Sequence, residues 1–129
     1  MDAQSLNSYR WESRLVLLFT PEQDDPVFLE QVRLLEESTA ALAERKVVVI
    51  RIMPAKEEGS PKGFLNAISA TKYYERFAPQ PEHFELILVG LDGTEKLRRT
   101  NTVVPITDIT DLIDTMPMRR QELRRQGGN

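Results

Sequence analysis

A strand that runs directly into a capped helix constrains this chain more than any other feature, and it lies between Arg14 and Pro26 (RLVLLFTPEQDDP). Residues 15–19 are uniformly apolar and too few for a helix, which predicts a central strand buried on both faces. Asp25 suits the N-cap position, and Pro26 suits the first helical position because no backbone N–H is needed there. The chain is therefore expected to be an α/β protein arranged around this strand.

The residues after Pro26 complete a strand–helix–strand unit. Residues 47–52 (VVVIRI) are continuous and β-branched, and they predict a second buried strand. One long helix ending near Glu44 is predicted from apolar residues that recur at spacings of three and four, namely Phe28, Val32, Leu35, Thr39 and Leu42. The two strands of such a unit lie parallel, with a right-handed crossover between them.

The second half of the chain predicts a helix, a hairpin and a closing helix. Residues 54–63 are rich in Pro, Gly and charge and predict a surface loop, and residues 64–74 predict the helix after it. Residues 85–97 predict a hairpin, because its Asp-Gly pair tolerates the positive φ angles of a tight turn. The charged second arm is expected to be an edge strand. A last helix follows Pro105, Pro117 is expected either to break it or to restart it, and the residues after Pro117 are expected to form a basic tail.

This order of elements matches the thioredoxin-like plan. That plan is a four-stranded mixed sheet with spatial order 4-3-1-2, an antiparallel third strand and flanking helices. The length of 129 residues fits one domain, residues 1–129, with its core at about 9–120 between a polar N-terminal lead-in and the basic C-terminal tail. The lone tryptophan, Trp11, is expected to cover the edge of that core.

Composition narrows the possible functions. The chain contains no cysteine, which excludes disulfides, thiolate metal sites and thiol-based catalysis. Because the net charge is −3, no nucleic-acid partner is expected, since non-specific binding to phosphate draws on a positive field. No apolar run approaches the roughly 18 residues of a membrane span, and the first residues lack the apolar region of a signal peptide. Composition does not fix the oligomeric state.

Three segments resemble one bacterial protein family. They are Tyr9-Arg10-Trp11 with Arg14, residues 84–98 (FELILVGLDGTEKLR) and, above all, residues 113–120 (IDTMPMRR). Together they make the chain similar to the DUF4174 domain family over about residues 9–120. The resemblance implies a thioredoxin- or peroxiredoxin-like fold. It also implies an exported setting, because the domain is seen in vertebrate extracellular proteins of the sushi-repeat and equarin type. The biochemical activity of the family is undefined.

The chain departs from redox thioredoxins at both of their hallmarks. A redox thioredoxin carries a Cys-x-x-Cys pair in the loop after its first strand, where the helix dipole stabilises a thiolate. Here that loop, residues 20–25, reads TPEQDD. The fold also places a cis-proline just before the third strand, and here Phe84 or Glu85 stands at that position. The sequence therefore predicts a thioredoxin-like scaffold without redox function.

The loop after the first strand and a single histidine supply the first candidate binding residues, Gln23, Asp24, Asp25 and His83. Together with Glu22, the loop has enough carboxylate oxygen for calcium or magnesium if backbone carbonyls contribute. We favour the simpler interpretation, in which Asp25 caps the helix and the others are solvated, so no metal and no cofactor is predicted. His83 is a candidate general base, although a lone histidine beside a strand is more often a surface residue.

Basic side chains supply the second group of candidate binding residues, Lys96, Arg98, Arg119 and Arg120. Such residues can form a basic patch for an acidic partner or a phosphate. The nearby Glu95 and Glu122 favour a solvated face with local ion pairs instead, each worth little. The two interpretations place these arginines differently, because only a patch for a partner requires them to be free.

Two functions remain open from the sequence. The first is a non-catalytic binding or structural module that presents a surface, such as the edge near Lys96, to a protein partner. The second is a thiol-independent, hydrolase-like enzyme that uses the carboxylates of the first loop with His83 or Lys96. The second requires these groups within about 10 Å of one another, because proton transfer needs near hydrogen-bond contact. No catalytic residue is assigned.

Overall fold

The computed structural model describes residues 6–126. In chain order, these residues form α1 (Leu6–Tyr9), β1 (Arg14–Phe19), α2 (Pro26–Glu37), α3 (Thr39–Glu44), β2 (Val47–Ile52), α4 (Ala67–Phe77), β3 (Glu85–Val89), β4 (Glu95–Thr100), α5 (Ile106–Asp114) and α6 (Pro117–Gln126). Each predicted strand is present, so the expected order of strands along the chain is confirmed.

The four strands form one mixed sheet in the order β2-β1-β3-β4. β1 pairs in parallel with β2, from Arg14 opposite Val47 to Phe19 opposite Ile52. β3 lies antiparallel to both β1 and β4. The predicted spatial order and the antiparallel third strand are therefore confirmed, and the sheet has the thioredoxin-like topology.

β1 is the centre of the sheet, and all six of its residues are buried. Because side chains alternate along a strand, β1 supplies both layers of the core. Leu15, Leu17 and Phe19 pack on the side of α4. Val16 and Leu18 pack on the side of α2 and α5. This alternation explains why residues 15–19 are apolar without interruption, as predicted for a strand buried on both faces.

β2 differs from its prediction, because only two of its residues are buried. Ile50 and Ile52 lie in the core, whereas Val47, Val48 and Val49 are half-buried. The strand lies at the edge of the sheet, so only one side of it is paired with a neighbouring strand. A run of β-branched residues indicates a strand, but it does not distinguish a central strand from an apolar edge.

The prediction of a single long helix after Pro26 is wrong in one detail, because two helices, α2 and α3, meet at Ser38. The Ser38 N–H donates to the carbonyl of Leu35, three residues back, at 3.1 Å. This contact tightens the last turn of α2 and ends it. Serine favours helix ends over helix interiors because its side chain competes for backbone hydrogen bonds.

Two terminal predictions are corrected by the structure. The basic tail predicted after Pro117 is a helix, α6, which buries Arg119 and Glu122. Trp11 does not cover the core, because its residue is 54% exposed. Its backbone is held instead: Trp11 has a positive φ of 68°, and its N–H donates to the Leu91 carbonyl at 2.7 Å. The indole stacks outside under the Arg10 guanidinium, 5.2 Å from the ring centre.

The β3–β4 hairpin forms where the Asp-Gly pair predicts it. Gly93 has a φ of 83°, which a residue without a Cβ atom adopts at no steric cost. The Gly90 N–H donates to the Thr94 carbonyl at 2.9 Å and closes the turn. In the part of the chain that the structure describes, no helix combines the length and the apolar character needed to span a bilayer.

Candidate binding sites

The loop between β1 and α2 is organised by helix capping. The Asp25 carboxylate accepts hydrogen bonds from the N–H groups of Val27 at 2.9 Å and Phe28 at 3.0 Å. These contacts satisfy two backbone donors that the first turn of a helix leaves without partners. The Thr20 hydroxyl donates to the Glu22 carbonyl at 2.7 Å and fixes the entry to the loop. At this position the carboxylate of Asp25 has the structural role that we favoured from the sequence.

Gln23 and Asp24 point away from this cap and are exposed. They line an open cavity of about 470 Å³ together with Met53 and the loop that carries Lys56 and Glu58. Across residues 6–126, no group of three or more histidine, aspartate or glutamate side chains is arranged to hold a metal ion. The binding role of Gln23 and Asp24 stays a prediction.

The segment before β3 does not meet this loop in a shared pocket. Phe84 is fully buried, and its ring centre lies 6.1 Å from that of Phe28 in the first turn of α2. Phe64 also packs against Phe28, and the centres of their rings are 5.8 Å apart. Neither Phe84 nor the exposed His83 lines the cavity at Gln23. The buried ring of Phe84 therefore occupies one of the two positions that the sequence assigned to the cis-proline.

Glu85 is a buried carboxylate at the start of β3, and sequence reasoning assigned it no role. Its carboxylate accepts from the Gln80 N–H at 2.7 Å and from the Thr100 hydroxyl at 2.8 Å. Arg98 Nη1 lies 3.4 Å from the same carboxylate. Glu85 thus joins the loop after α4 to the end of β4. The sequence did carry a signal for this buried carboxylate, because Glu85 is the one charged residue of an otherwise apolar strand.

The predicted basic residues of β4 are occupied by contacts within the chain. Lys96 pairs with Asp92 at 3.1 Å, and Arg98 pairs with Glu95 at 2.7 Å. Arg98 Nη2 also donates to the Phe77 carbonyl at 2.8 Å. The hydrogen bond to Arg98 lowers the pKa of Glu95 despite partial burial, and the same pairing raises the pKa of Arg98. These cations therefore stabilise the hairpin and its junction with α4.

The geometry separates Lys96 from the carboxylate loop of the hydrolase hypothesis. Lys96 lies beside the β3–β4 turn, because Val89 of β3 pairs with both Glu95 and Leu15. The carboxylate loop follows Phe19, at the other end of β1. The intervening strand spans about 16 Å at roughly 3.3 Å per residue. Lys96 is thus too distant to act with the loop carboxylates. His83, by contrast, precedes β3 at the same end of the sheet as the loop, because Glu85 pairs with Phe19. A hydrolase that uses His83 with the loop carboxylates stays a prediction.

A buried ion cluster lies at the Arg14 end of β1, and we call it the C-terminal ion cluster. Its members are Arg14, Glu44, Arg45, Lys46, Asp114, Arg119 and Glu122. The residues Arg14 and Arg119 are 0% and 1% exposed, so both guanidinium groups lie inside the protein. Arg119 contacts Asp114 at 3.1 Å and Glu44 at 2.9 Å. The neighbouring Arg120, predicted in the same patch, is exposed.

The cluster joins α6 to α3, α5 and β1. Arg45 and Asp114 form a two-point pair, at 3.1 Å and 2.9 Å. The hydrogen bond from Arg45 lowers the pKa of Asp114, with Arg119 adding to the effect against the opposing influence of burial. Burial disfavours the charge of Arg119, but hydrogen bonds to its carboxylate partners outweigh that cost and raise its pKa. The cluster is therefore a structural contact between helices.

The outer edge of β2 has backbone groups that are not paired with a neighbouring strand. Lys46 and Ile52 direct their carbonyls to β1, so alternation leaves the backbone groups of Val47 and Val49 facing outward. A loop covers only the far end of the strand, where the Leu65 N–H donates to the Arg51 carbonyl at 2.8 Å. Residues 47–49 therefore form an edge without a charged side chain.

An apolar groove runs beside this edge, between β2 and the helices α2 and α3. The groove has a volume of about 290 Å³. Its walls include Val32, Leu35, Leu42, Val47 and Val49. Glu36 and Arg51, which form a salt bridge of 3.3 Å, also line it. We refer to the outward face of Val47–Val49 and this groove together as the β2 edge site.

The topology places the chain in the thioredoxin- and peroxiredoxin-like class of folds, and solved structures support this. The reduced 2-Cys peroxiredoxin of Plasmodium vivax is similar with a TM-score of 0.64 and 16% identity, covering 90% of this chain and 84% of that one. The thioredoxin peroxidase I of Plasmodium yoelii is similar with a TM-score of 0.62 and 13% identity, covering 90% and 79%. At these identities the likeness defines the fold alone.

Within that class, the family model described as a domain of unknown function (DUF4174) matches residues 5–122, and the chain belongs to this family. Coiled-coil domain-containing protein 80 of Danio rerio is 29% identical over 136 residues, which cover 94% of this chain. The chain spans 16% of the length of that relative. The resemblance stated from the segments at residues 84–98 and 113–120 is therefore confirmed.

Sequence reasoning missed the two features that the structure makes most distinctive. Arg14 stands next to a fully apolar strand, and a lone cation in that position is a signal for a buried, paired charge. The free edge of β2 left a different signal, which is the contrast between an uncharged VVV run and the charged arm of the hairpin. Neither signal identifies a ligand by itself.

Proposed function

We propose that this chain is a non-redox, thioredoxin-like binding module, and that it binds an extended segment of a protein partner at the β2 edge site. The segment would add to the sheet as a fifth strand beside β2. The observation that carries the proposal is the free backbone of Val47 and Val49 next to an apolar groove of about 290 Å³. Strand addition to an open sheet edge is a common mode of peptide recognition.

The contrast between the two edges of the sheet supports β2 over β4. Natural proteins block exposed edge strands with charge, short length or covering loops. β4 carries Glu95, Lys96, Arg98 and Arg99 along its whole length. β2 carries no charge between Lys46 and Arg51. The edge near Lys96, which the sequence favoured as the interaction surface, is thus the better protected of the two.

The groove defines the chemistry of the segment. A bound strand would direct alternate side chains toward Val32 and Leu42, so every second residue of the segment is expected to be apolar. Its other residues would face Tyr9 and Val48, which line a second open cavity of about 370 Å³. The expected ligand is therefore a short extended peptide with alternating apolar residues and no proline at the positions that pair with Val47 and Val49.

Selection of displayed peptides on the purified chain tests the proposal. Enriched peptides should show the alternating apolar pattern, and binding should slow amide hydrogen exchange at Val47 and Val49. Val49→Lys should weaken binding roughly tenfold or more, because it places a charge in an apolar contact. Arg99→Glu, an exposed change on the opposite edge, is the matched control and should leave the affinity unchanged.

Three outcomes would overturn the proposal. The first is a set of enriched peptides without an alternating pattern, and the second is a Val49→Lys variant that binds the peptides as tightly as the unchanged chain does. The third is a dimer, detected by sedimentation, that Val49→Lys converts to monomer, because the occupant of the edge would then be a second copy of this chain. Thermal unfolding of Val49→Lys is measured alongside, and Val47→Lys, nearer the end of the strand, serves if Val49→Lys is not folded.

A further inference from the structure

Arg14 is only half satisfied by its protein partners. Its Nη1 donates to the Arg45 carbonyl at 2.8 Å and lies 3.4 Å from Glu122 Oε1. Its Nε and Nη2 are buried, and neither has a hydrogen-bond partner among residues 6–126. A buried charged donor without a partner is costly, so such groups are normally satisfied. These two nitrogens form the planar fork that matches two oxygens of a carboxylate or phosphate.

A small cavity lies beside Arg14. Its volume is about 80 Å³, and it is bounded by Arg14, the β3–β4 turn and the junction of α5 with α6. Lys96, Pro117 and Met118 are exposed, so the cavity opens to solvent on their side, while Arg14 is 0% exposed. Pockets for drug-sized ligands measure several hundred Å³, so only a small ion or one terminal group fits here.

The helix α6 begins at the same cavity without a cap. Met116 has no side-chain oxygen to accept from the first turn, and that turn contains no acidic residue. The Thr115 hydroxyl is already committed to the Leu112 carbonyl at 2.7 Å. Helix geometry leaves the N–H groups of Met118 and Arg119 without intrahelical acceptors. The positive end of the helix dipole therefore lies at a cavity that Arg14 also lines.

The charges around the cavity leave one cation unmatched. In the C-terminal ion cluster, four cations face three carboxylates, Glu44, Asp114 and Glu122. Asp92 is a carboxylate that lines the cavity, and Lys96 matches its charge at 3.1 Å. Asp92 also accepts from the Thr94 N–H at 3.0 Å and hydroxyl at 2.8 Å, so its oxygens are occupied. A single anion would balance the remaining positive charge.

We propose that this cavity binds a small oxyanion, with two of its oxygens on Nε and Nη2 of Arg14 and the remainder toward the first turn of α6. The shared chemistry is that of phosphate, sulfate or a carboxylate group. The site lies at the Arg14 end of the molecule and shares no lining residue with the β2 edge site. It does not depend on the proposed function, because the two sites are tested by different variants and different ligands.

Titration of the ¹⁵N-labelled chain followed by NMR tests the site. Sodium phosphate, sodium sulfate and sodium acetate are added at constant ionic strength against sodium chloride. Saturable shifts are expected at the Arg14 Nε–H signal and at the Met118 and Arg119 amides. Saturation by phosphate or sulfate alone assigns a tetrahedral anion. Equal or tighter saturation by acetate assigns a carboxylate, such as an acidic side chain of another molecule.

Two variants of α6 form a matched pair, because the residues Met118 and Leu123 are each 39% exposed. Met118→Glu places a carboxylate at the cavity and should weaken phosphate binding roughly tenfold or more by competing for the same donors. Leu123→Glu makes the same charge change away from the cavity and should leave binding unchanged. Arg14→Lys keeps the charge without the fork and should also weaken binding. If Arg14→Lys is unfolded, the comparison of Met118→Glu with Leu123→Glu tests the proposal by itself.

The proposal fails if the Arg14 Nε–H signal shifts linearly without saturation, or if chloride produces the same response. It also fails if Met118→Glu and Leu123→Glu bind phosphate equally well. Either result would mean that water alone satisfies the free nitrogens of Arg14, since a polar cavity of this size has room for ordered water.

Discussion

Gln31 and Val104 hold each other through two hydrogen bonds inside the protein. The Gln31 side-chain Nε2 donates to the Val104 carbonyl at 3.0 Å, and the Val104 N–H donates to Gln31 Oε1 at 2.6 Å. The exposed fractions of the two residues are 0% and 1%. The amide of a helical side chain thus takes the place of a neighbouring strand, and it joins α2 to the segment that leads into α5.

Gln31→Leu should lower the free energy of unfolding by about 2–3 kcal/mol, because it leaves the buried N–H and carbonyl of Val104 unpaired. Urea unfolding followed by circular dichroism measures the change. Leu29→Ala on the same helix is the control. It should lower the free energy of unfolding by much less than Gln31→Leu does, since Leu29 is 50% exposed. An unchanged urea midpoint for Gln31→Leu would show that the segment near Val104 is held by other contacts.

Asp25→Ala should lower the free energy of unfolding by about 1 kcal/mol, the usual loss when a helix N-cap is removed. Asp24→Ala removes the same charge from the adjacent, exposed position and should change the free energy of unfolding by less than about 0.5 kcal/mol. Chemical denaturation of both variants makes the comparison. Equal effects would indicate that charge at the start of α2, rather than the two hydrogen bonds of Asp25, stabilises the helix.

Arg119→Ala should lower the free energy of unfolding by roughly 3 kcal/mol, because it removes one side of a buried ionic contact and leaves Glu122 with fewer partners. Arg120 is the next residue and is exposed, so Arg120→Ala should change the free energy of unfolding by less than about 0.5 kcal/mol. Thermal and urea unfolding give the two values. Similar losses for both variants would argue that α6 is held by general charge attraction and not by the geometry around Arg119.

Asp114→Asn should be destabilising near neutral pH and progressively less so in acid. The hydrogen bond from Arg45 lowers the pKa of Asp114 in the folded chain below its ordinary 3.8. A lowered folded pKa contributes stability above the unfolded pKa, and that stability is lost as the pH falls through the folded value. Because Asp114 is partly exposed, the difference at pH 7 should be about 1 kcal/mol or less.

Urea unfolding of the unchanged chain and of Asp114→Asn at several pH values from neutral to strongly acidic measures this dependence. Asp111→Asn on the same helix, at an exposed position, is the control and should track the unchanged chain at every pH. A gap between the unchanged chain and Asp114→Asn that stays constant into strong acid would contradict the lowered pKa.

The sheet could be predicted because its determinants are local. Continuous apolar character predicts strands at residues 15–19 and 47–52, and the Asp92-Gly93 pair predicts the turn of the hairpin. These local signals, together with the rule for parallel crossovers, leave few arrangements of four strands. The cap at Asp25 was equally predictable, since it depends on residues only two or three positions away.

The candidate sites could be predicted only in part, because they depend on distant pairings. Arg119 was recognised as a candidate, but its burial follows from contacts with Glu44, 75 positions away. Gln31 lies on α2 between Glu30 and Val32, and nothing nearby indicates its partner at Val104, 73 positions away. The exposure of Val47 likewise depends on which strand occupies the edge, a property of the assembled sheet.

The packing of Phe84 against Phe28 bears on any attempt to build thiol chemistry into this scaffold. Two cysteines introduced in place of Gln23 and Asp24 would lie at an open cavity, where a substrate could approach them. A proline in place of Phe84 would instead remove a fully buried ring and leave a cavity beside Phe28. The thiols could therefore be added at the surface, whereas the proline would be opposed by the packing of the core.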